Sequence, residues 1–304
     1  MRCVKCGNEV NKEDFVCIYC NARLREEKIE KLSYFKRVTD EKWTTPIKGW
    51  NRFYQVFRNP SRAFWDIVHY RKNIGSWFKV YILSGLLYGF FGLAIHVHMD
   101  KTGWSIYSRL LNGLSSYMLF TIFGLAYFFI FYMISIQLFS LAANYSINLK
   151  SQLKLRYGNR KDKKKEEEDA QKTQTMIEAE GIYPTSLPSH LTTQKSKKIS
   201  IMLWGFAPFL IALAVSAVVL FIGLPRGIVF SEFPALANSW AWGITDWVQV
   251  IILIVAVPIT MSIALRELVN ASTFRVYISC VIVAILLGFL AYFFRPSFLF
   301  QAIT

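Results

Sequence analysis

Five stretches without Asp, Glu, Lys or Arg dominate this chain: residues 80–99, 110–149, 199–225, 247–265 and 276–294. A hydrocarbon core about 30 Å thick is crossed by roughly 20 apolar residues in a helix. Inside lipid, only a helix or a closed barrel satisfies every backbone amide. Runs of this length without β-type alternation therefore predict membrane-spanning helices. With 54% hydrophobic and only 18% charged residues among 304, the chain is too apolar for a water-soluble domain. The first run starts after 79 residues, too late for a cleaved signal peptide.

Topology follows from the basic residues, which concentrate in cytoplasmic segments. Residues 1–79 carry seventeen Lys and Arg and residues 150–198 carry twelve. The 40-residue run 110–149 can be read as one long helix or two short ones. One helix, centred on residues 117–145, puts both basic segments on the same side, together with Arg266 and Arg275. Only Lys101, Arg109, Arg226 and Arg295 of the 35 basic residues then fall outside. The expected fold is all-α and polytopic, with five transmembrane helices, the N-terminus cytoplasmic and the C-terminus outside. In a prokaryote the membrane is the cell membrane. Trp240, Trp242 and Trp247 fall where an interfacial aromatic belt flanks the fourth span.

The N-terminus carries a different signal, "CVKCGNEVNKEDFVCIYC". Cys3-x2-Cys6 and Cys17-x2-Cys20 offer two pairs of thiolates to one tetrahedral Zn²⁺. Gly7 after the first pair can take positive φ, and Asn21 after the second is the next best residue for it. Disulfides do not suit a cytoplasmic segment, and redox Cys-x-x-Cys motifs occur singly beside a βαβ pattern. Four ligands leave no open position for water, so this single zinc is structural. A module of residues 1–24 has almost no core, and zinc supplies on the order of 10–16 kcal/mol of apparent folding energy to such modules. Cys280, within the fifth span, reads as a small buried hydrophobe.

Between the ribbon and the first span, "IKGWNRFYQVFRNPSRAFWDIVHYRK" places Trp50, Phe53, Tyr54 and Phe57 on one helical stripe flanked by Lys48, Arg52 and Arg58. Asn59-Pro60 ends that helix, Ser61 caps the next, and Phe64, Trp65 and Val68 resume the apolar face. The stripe fits a helix lying among anionic lipid headgroups. It fits equally a helix packed on the ends of the spans. Nucleic acid is not the expected partner of this charge.

Residues 150–198, with "RKDKKKEEED" near their start, read as a solvated linker or a docking segment. Inside the membrane there is little chemistry. His96 and His98 are about 200° apart on a helix and cannot share a metal, while His96 and Asp100 can pair at the outer rim. Asp246 is expected to stabilise the N-terminus of the fourth span. Gly85, Gly89 and Gly92, and Ala284 with Gly288, allow close helix approach. Pro208 and Pro258 are expected to kink their helices. No nucleophile–base pair, phosphate loop or paired carboxylates are in evidence, so no enzyme activity is expected.

The ribbon "MRCVKCGNEV…CIYCNARL", then Asn59, Pro60 and Phe64 before the first span, and "WGFAPFLIAL" around Pro208, resemble zinc-ribbon-bearing prokaryotic members of the YIP family. These belong with the Rab-GTPase-interacting multispanning membrane proteins. Val16 stands where such ribbons carry Phe, and the loop 150–198 is longer than the family pattern. The resemblance implies a non-enzymatic adaptor or scaffold that recruits a protein partner on the cytoplasmic side. The alternative is an accessory subunit of a translocon, insertase or transporter, touching a ribosome or other subunits through its basic face. The expected organisation is a zinc ribbon (1–24), interfacial helices (25–77), two spans (78–149), a charged loop (150–198) and three spans (199–304).

A membrane-impermeant thiol reagent tests this topology. It should modify a cysteine placed at Gly103 or Thr304 from outside and leave one at Lys163 untouched; outside labelling at 163 overturns the five-span arrangement.

Overall fold

In the computed structural model of the chain, residues 1–10, 15–17, 19–20, 22–36, 47–69, 77–100, 102–146, 191–227, 239–269 and 272–293 are described. Two short 3-10 turns, Lys28–Lys31 and Ser33–Phe35, precede the helices α1 (Gly49–Arg58), α2 (Pro60–His69), α3 (Trp77–His98) and α4 (Ile106–Ser146). They are followed by α5 (Leu191–Gly205), α6 (Ala207–Gly223), α7 (Trp240–Val269) and α8 (Thr273–Phe293). The ribbon holds two isolated antiparallel bridges, Arg2 with Glu9 and Val16 with Arg23. Five segments are long and apolar enough to cross a membrane: Phe78–His98, Ile106–Ala143, Lys198–Gly223, Trp240–Leu268 and Thr273–Phe293. This is an all-α integral membrane protein.

Within the 110–149 run, residues 110–146 form one helix, which begins earlier than the expected 117–145. The Ser105 hydroxyl accepts the N–H of Ser108 at 3.2 Å, which starts the helix ahead of Arg109. At 1.5 Å per residue, α4 is about 60 Å long, roughly twice the hydrocarbon thickness. The third span is two helices, α5 and α6, broken at Phe206 (φ −84, ψ 5). Pro208 has no N–H for the helical ladder, and Phe209 bonds back only to Phe206 O, at 2.9 Å. The Gly205 carbonyl instead accepts the Thr260 hydroxyl from α7, at 2.7 Å. α7 runs unbroken through Pro258. α5 starts at Leu191, inside what was expected to be linker; the rest of that loop, 147–190, lies outside the described residues, as does Asn21.

The spans close a ring: α3 packs on α4, α4 on α8, α8 on α7, α7 on α6, and α6 on α3. Its interior holds an aromatic cluster among aliphatic side chains. Phe128, Phe131, Phe206 and Phe209 meet at centroid separations of 5.8–6.2 Å, and Cys280 is buried in the same core. Gly85, Gly89 and Gly92 lie against α4, and the neighbours a side chain there would meet are Leu125, Thr121 with Tyr117, and Phe120 with the Ser116 carbonyl. Gly288 faces Ile254 and Val250 of α7, and Ala284 is fully buried. Of the expected tryptophan belt, Trp240 and Trp247 are exposed, but Trp242 is buried edge-on to Phe91.

α1 and α2 cover one end of the ring. Val56, Phe64 and Ile67 pack with Ile201, Trp204, Ile263 and Ala264, near the C-terminal ends of α5 and α7. At the opposite end, Gly227 N–H bonds His98 O at 2.9 Å, joining the segments that follow α6 and α3.

Two glycines test the packing. A Cβ on Gly92 would lie 2.7 Å from the Ser116 carbonyl oxygen and 2.5 Å from the Phe120 ring. Gly92→Ala should therefore destabilise by about 1–3 kcal/mol, as overpacking does. Gly243, on α7, has nothing within 4 Å, so Gly243→Ala should be neutral or stabilise by up to about 1 kcal/mol. Thermal unfolding in detergent separates the two.

Candidate metal centre

Each Cys-x-x-Cys pair folds the same way. Cys3 N–H bonds Asn8 O at 2.9 Å and Cys17 N–H bonds Ala22 O at 2.8 Å. Arg2 bridges Glu9, and Val16 bridges Arg23. Val10 N–H reaches Met1 O at 2.8 Å, and Leu24 N–H reaches Phe15 O at 2.9 Å. The two knuckles are thus repeats of one hydrogen-bonding pattern, and Gly7 takes φ +74° at the turn of the first.

The repeats bring four thiols together. Cys3 Sγ lies 3.6 Å from Cys20 Sγ, and Cys6 Sγ lies 3.7 Å from Cys17 Sγ. All four sulfurs are within 4.8 Å of one another. A disulfide would bring sulfurs to about 2.05 Å. A tetrahedron of sulfurs about 2.3 Å from a central ion has edges of about 3.8 Å. The spacing therefore fits four ligands around one metal ion.

The protonation energetics agree. The backbone N–H groups of Cys6 and Lys5 hold the Cys3 thiol down to about 6. Burial raises Cys17 and pushes Cys20 up to about 12. Cys3 is thus poised as a thiolate, whereas Cys17 and Cys20 need the charge of an ion to give up their protons. Binding releases protons and strengthens as pH rises.

The sequence assigns the ribbon to residues 1–24 and says nothing of its contacts with the bundle. It is joined to the bundle by buried charge. Arg23, in the second knuckle's bridge, reaches Glu30 Oε2 at 2.8 Å. Glu30 is 1% exposed and accepts the Thr273 hydroxyl on Oε1 at 2.9 Å. Thr273 is the first residue of α8 and lies 3.4 Å from Arg266 Nη1 at the end of α7. Arg266 is fully buried, donating to Ser61 Oγ at 2.7 Å and to the carbonyls of Phe35 and Lys36. The Phe274 N–H donates to Glu27 Oε2 at 3.2 Å. Ser61 is therefore not a helix cap: the Asn59 carbonyl accepts the Ala63 N–H, and the Ser61 hydroxyl serves Arg266.

A second buried pair holds α1 on α2. Arg52 donates through Nε and Nη2 to Asp66 Oδ2 at 3.1 and 2.9 Å, and Ile47 N–H donates to Asp66 Oδ1 at 2.9 Å. Arg52 had been read as a flanking surface charge. The aromatic stripe divides accordingly. Phe64 is enclosed by protein, a correction to its expected place at the lipid surface. Phe53 and Phe57 are half-buried against the same cluster and Trp65 is half-buried. Trp50 and Tyr54 face outward at 80% and 57% exposure.

His96 and His98 bond the carbonyls of Arg109 and Ala94, and Asp100 accepts the N–H and hydroxyl of Thr102. The expected His96–Asp100 pair is replaced by these contacts. Asp246 lies beyond the first turn of α7, in a small cleft with Tyr88, Tyr127, Gln249 and Tyr292.

Metal analysis tests the centre. The wild-type chain should carry about one ion, and Cys17→Ser, which removes a buried ligand, should carry none after dialysis. Retention in the mutant overturns the four-thiolate site. No family model, no curated protein and no solved structure matches the chain.

Proposed function

We propose that the chain is a non-enzymatic membrane adaptor that presents a zinc-stabilised ribbon at one end of a five-helix bundle to recruit a soluble protein. The observation that carries this reading is the clustering of the four-cysteine ribbon, α1, α2 and the α7–α8 turn at a single end. By the distribution of Lys and Arg, that end faces the cytoplasm. Four thiolates in a reducing compartment favour Zn²⁺, whose closed tetrahedral site has a structural role. The resemblance to zinc-ribbon members of the YIP family supports an adaptor.

Anionic lipid is the second partner. Trp50, Tyr54 and Arg58 form an outward face of α1, where Arg58 lies 5.9 Å over the Tyr54 ring. An exposed aromatic-basic face of this kind suits the headgroup layer.

Purification in mild detergent from a membrane fraction tests the proposal. The wild type should retain a soluble protein that the double variant Cys3→Ser/Cys6→Ser loses while still inserting in the membrane. Equal retention by both moves the recruiting surface away from the ribbon. A stoichiometric set of membrane subunits instead makes the chain an accessory subunit of a larger complex.

A further inference from the structure

We infer that the metal centre and the α7–α8 turn are energetically coupled, so that metal binding at the ribbon tightens the bundle end and the bundle in turn raises the ribbon's affinity for metal. This rests on reading Cys3, Cys6, Cys17 and Cys20 as one metal centre, and it concerns that centre's regulation.

Glu30 carries the argument. A carboxylate that is 1% exposed is tolerated when cationic and hydrogen-bonding partners replace its water. One of its oxygens faces Arg23 at 2.8 Å and the other faces the Thr273 hydroxyl at 2.9 Å. Each partner belongs to a different body. Arg23 is fixed by the bridge to Val16, next to the ligand Cys17, and by the Cys17–Ala22 and Phe15–Leu24 backbone bonds on either side. Thr273 opens α8 and touches Arg266, which also gathers Ser61 of α2 and the carbonyls of Phe35 and Lys36. One buried group therefore bonds the folded knuckle and the helix ends at the same time.

A ribbon of this size has a core of little more than Cys3, Val10 and Cys17, so its fold follows its metal. Loss of the ion releases Arg23 from its bridge. Glu30 then keeps its Thr273 contact and loses the Arg23 contact within a dry site. The node pulls on α8 and on the Arg266 end of α7, whose remaining contacts are apolar packing, the Arg266 bonds to Ser61, Phe35 and Lys36, and the Phe274 N–H bond to Glu27. Linkage makes the effect reciprocal: whatever loosens the node at Thr273 must weaken metal binding at the cysteines.

The test uses the full chain in detergent and zinc as the probe. Thr273→Val removes one hydroxyl at nearly constant volume, and Glu30→Gln removes the charge that Arg23 balances. Zinc affinity, measured by competition with a chromophoric chelator, should fall about 5- to 150-fold in each, the range of typical coupling between sites. Removing zinc from the wild type should lower the thermal midpoint of helix unfolding, and the drop should shrink in Thr273→Val. Unchanged zinc affinity in both variants, or a helix midpoint indifferent to zinc in the wild type, overturns the coupling and leaves the metal centre intact. A wild-type chain that takes up no zinc overturns both. Gly92→Ala, which destabilises the bundle at the α3–α4 contact away from the node, should leave zinc affinity unchanged; an equal loss there would assign the effect to general destabilisation and overturn the coupling.

Discussion

A backbone amide inside hydrocarbon has no water to turn to, and the architecture of this chain follows from that constraint. Every span is a helix, and most polar side chains within the spans are turned back on the helices themselves. Ser84, Ser135 and Thr245 each donate to the carbonyl four residues earlier. Where the ladder fails at Pro208, the neighbouring helix repairs it: Thr260 of α7 donates to the carbonyl at Gly205. The broken span thus stays compatible with lipid because α7 is pressed against it, with Met261 directly facing Gly205. The break and the α6–α7 contact require one another.

The same rule sorts the charges. Arg52, Asp66, Glu30 and Arg266 are all buried, yet all lie at the one end of the bundle covered by α1, α2 and the N-terminal turns. Each is matched there by a countercharge or several hydrogen bonds. Such pairs contribute less to net stability than their Coulomb attraction suggests, because desolvation opposes it. Breaking one side, however, leaves a charge in a dry site. Their effect is therefore to fix register: α1 on α2 through Arg52–Asp66, and the N-terminal segment on α7 and α8 through Glu30 and Arg266.

The apolar runs and the cysteine spacing were legible because each reports a local physical requirement, bilayer thickness in one case and metal geometry in the other. The five spans and the joining of Cys3, Cys6, Cys17 and Cys20 followed directly. The misreadings were about partners rather than elements. Arg52 flanks an aromatic stripe and reads as surface charge, and Arg266, which closes an uncharged run, makes buried hydrogen bonds that its place in the sequence does not announce. Both are buried by segments more than a dozen residues away, which periodicity does not register. Ser61 had the residue type and position of a cap, but Arg266 claims its hydroxyl. Trp242 had the company of two belt tryptophans but faces Phe91. The early start of α4 was readable in Ser105 as an N-cap, a signal masked by Arg109 at the edge of the uncharged run.

The ribbon and the bundle solve complementary problems. The bundle has far more apolar surface than it buries internally, and lipid accepts the remainder; α4 alone leaves Leu119, Ile122 and Ile130 outward. The ribbon has almost no apolar surface to bury, and its four thiols are spaced to hold a metal ion. Joined only by a tether, each would fold without reference to the other. The buried carboxylate at Glu30 changes that, because a charge in a dry site needs both neighbours at once. The two modules meet through the interaction least tolerant of a missing partner, and that makes a small metal knuckle a structural element of a membrane protein.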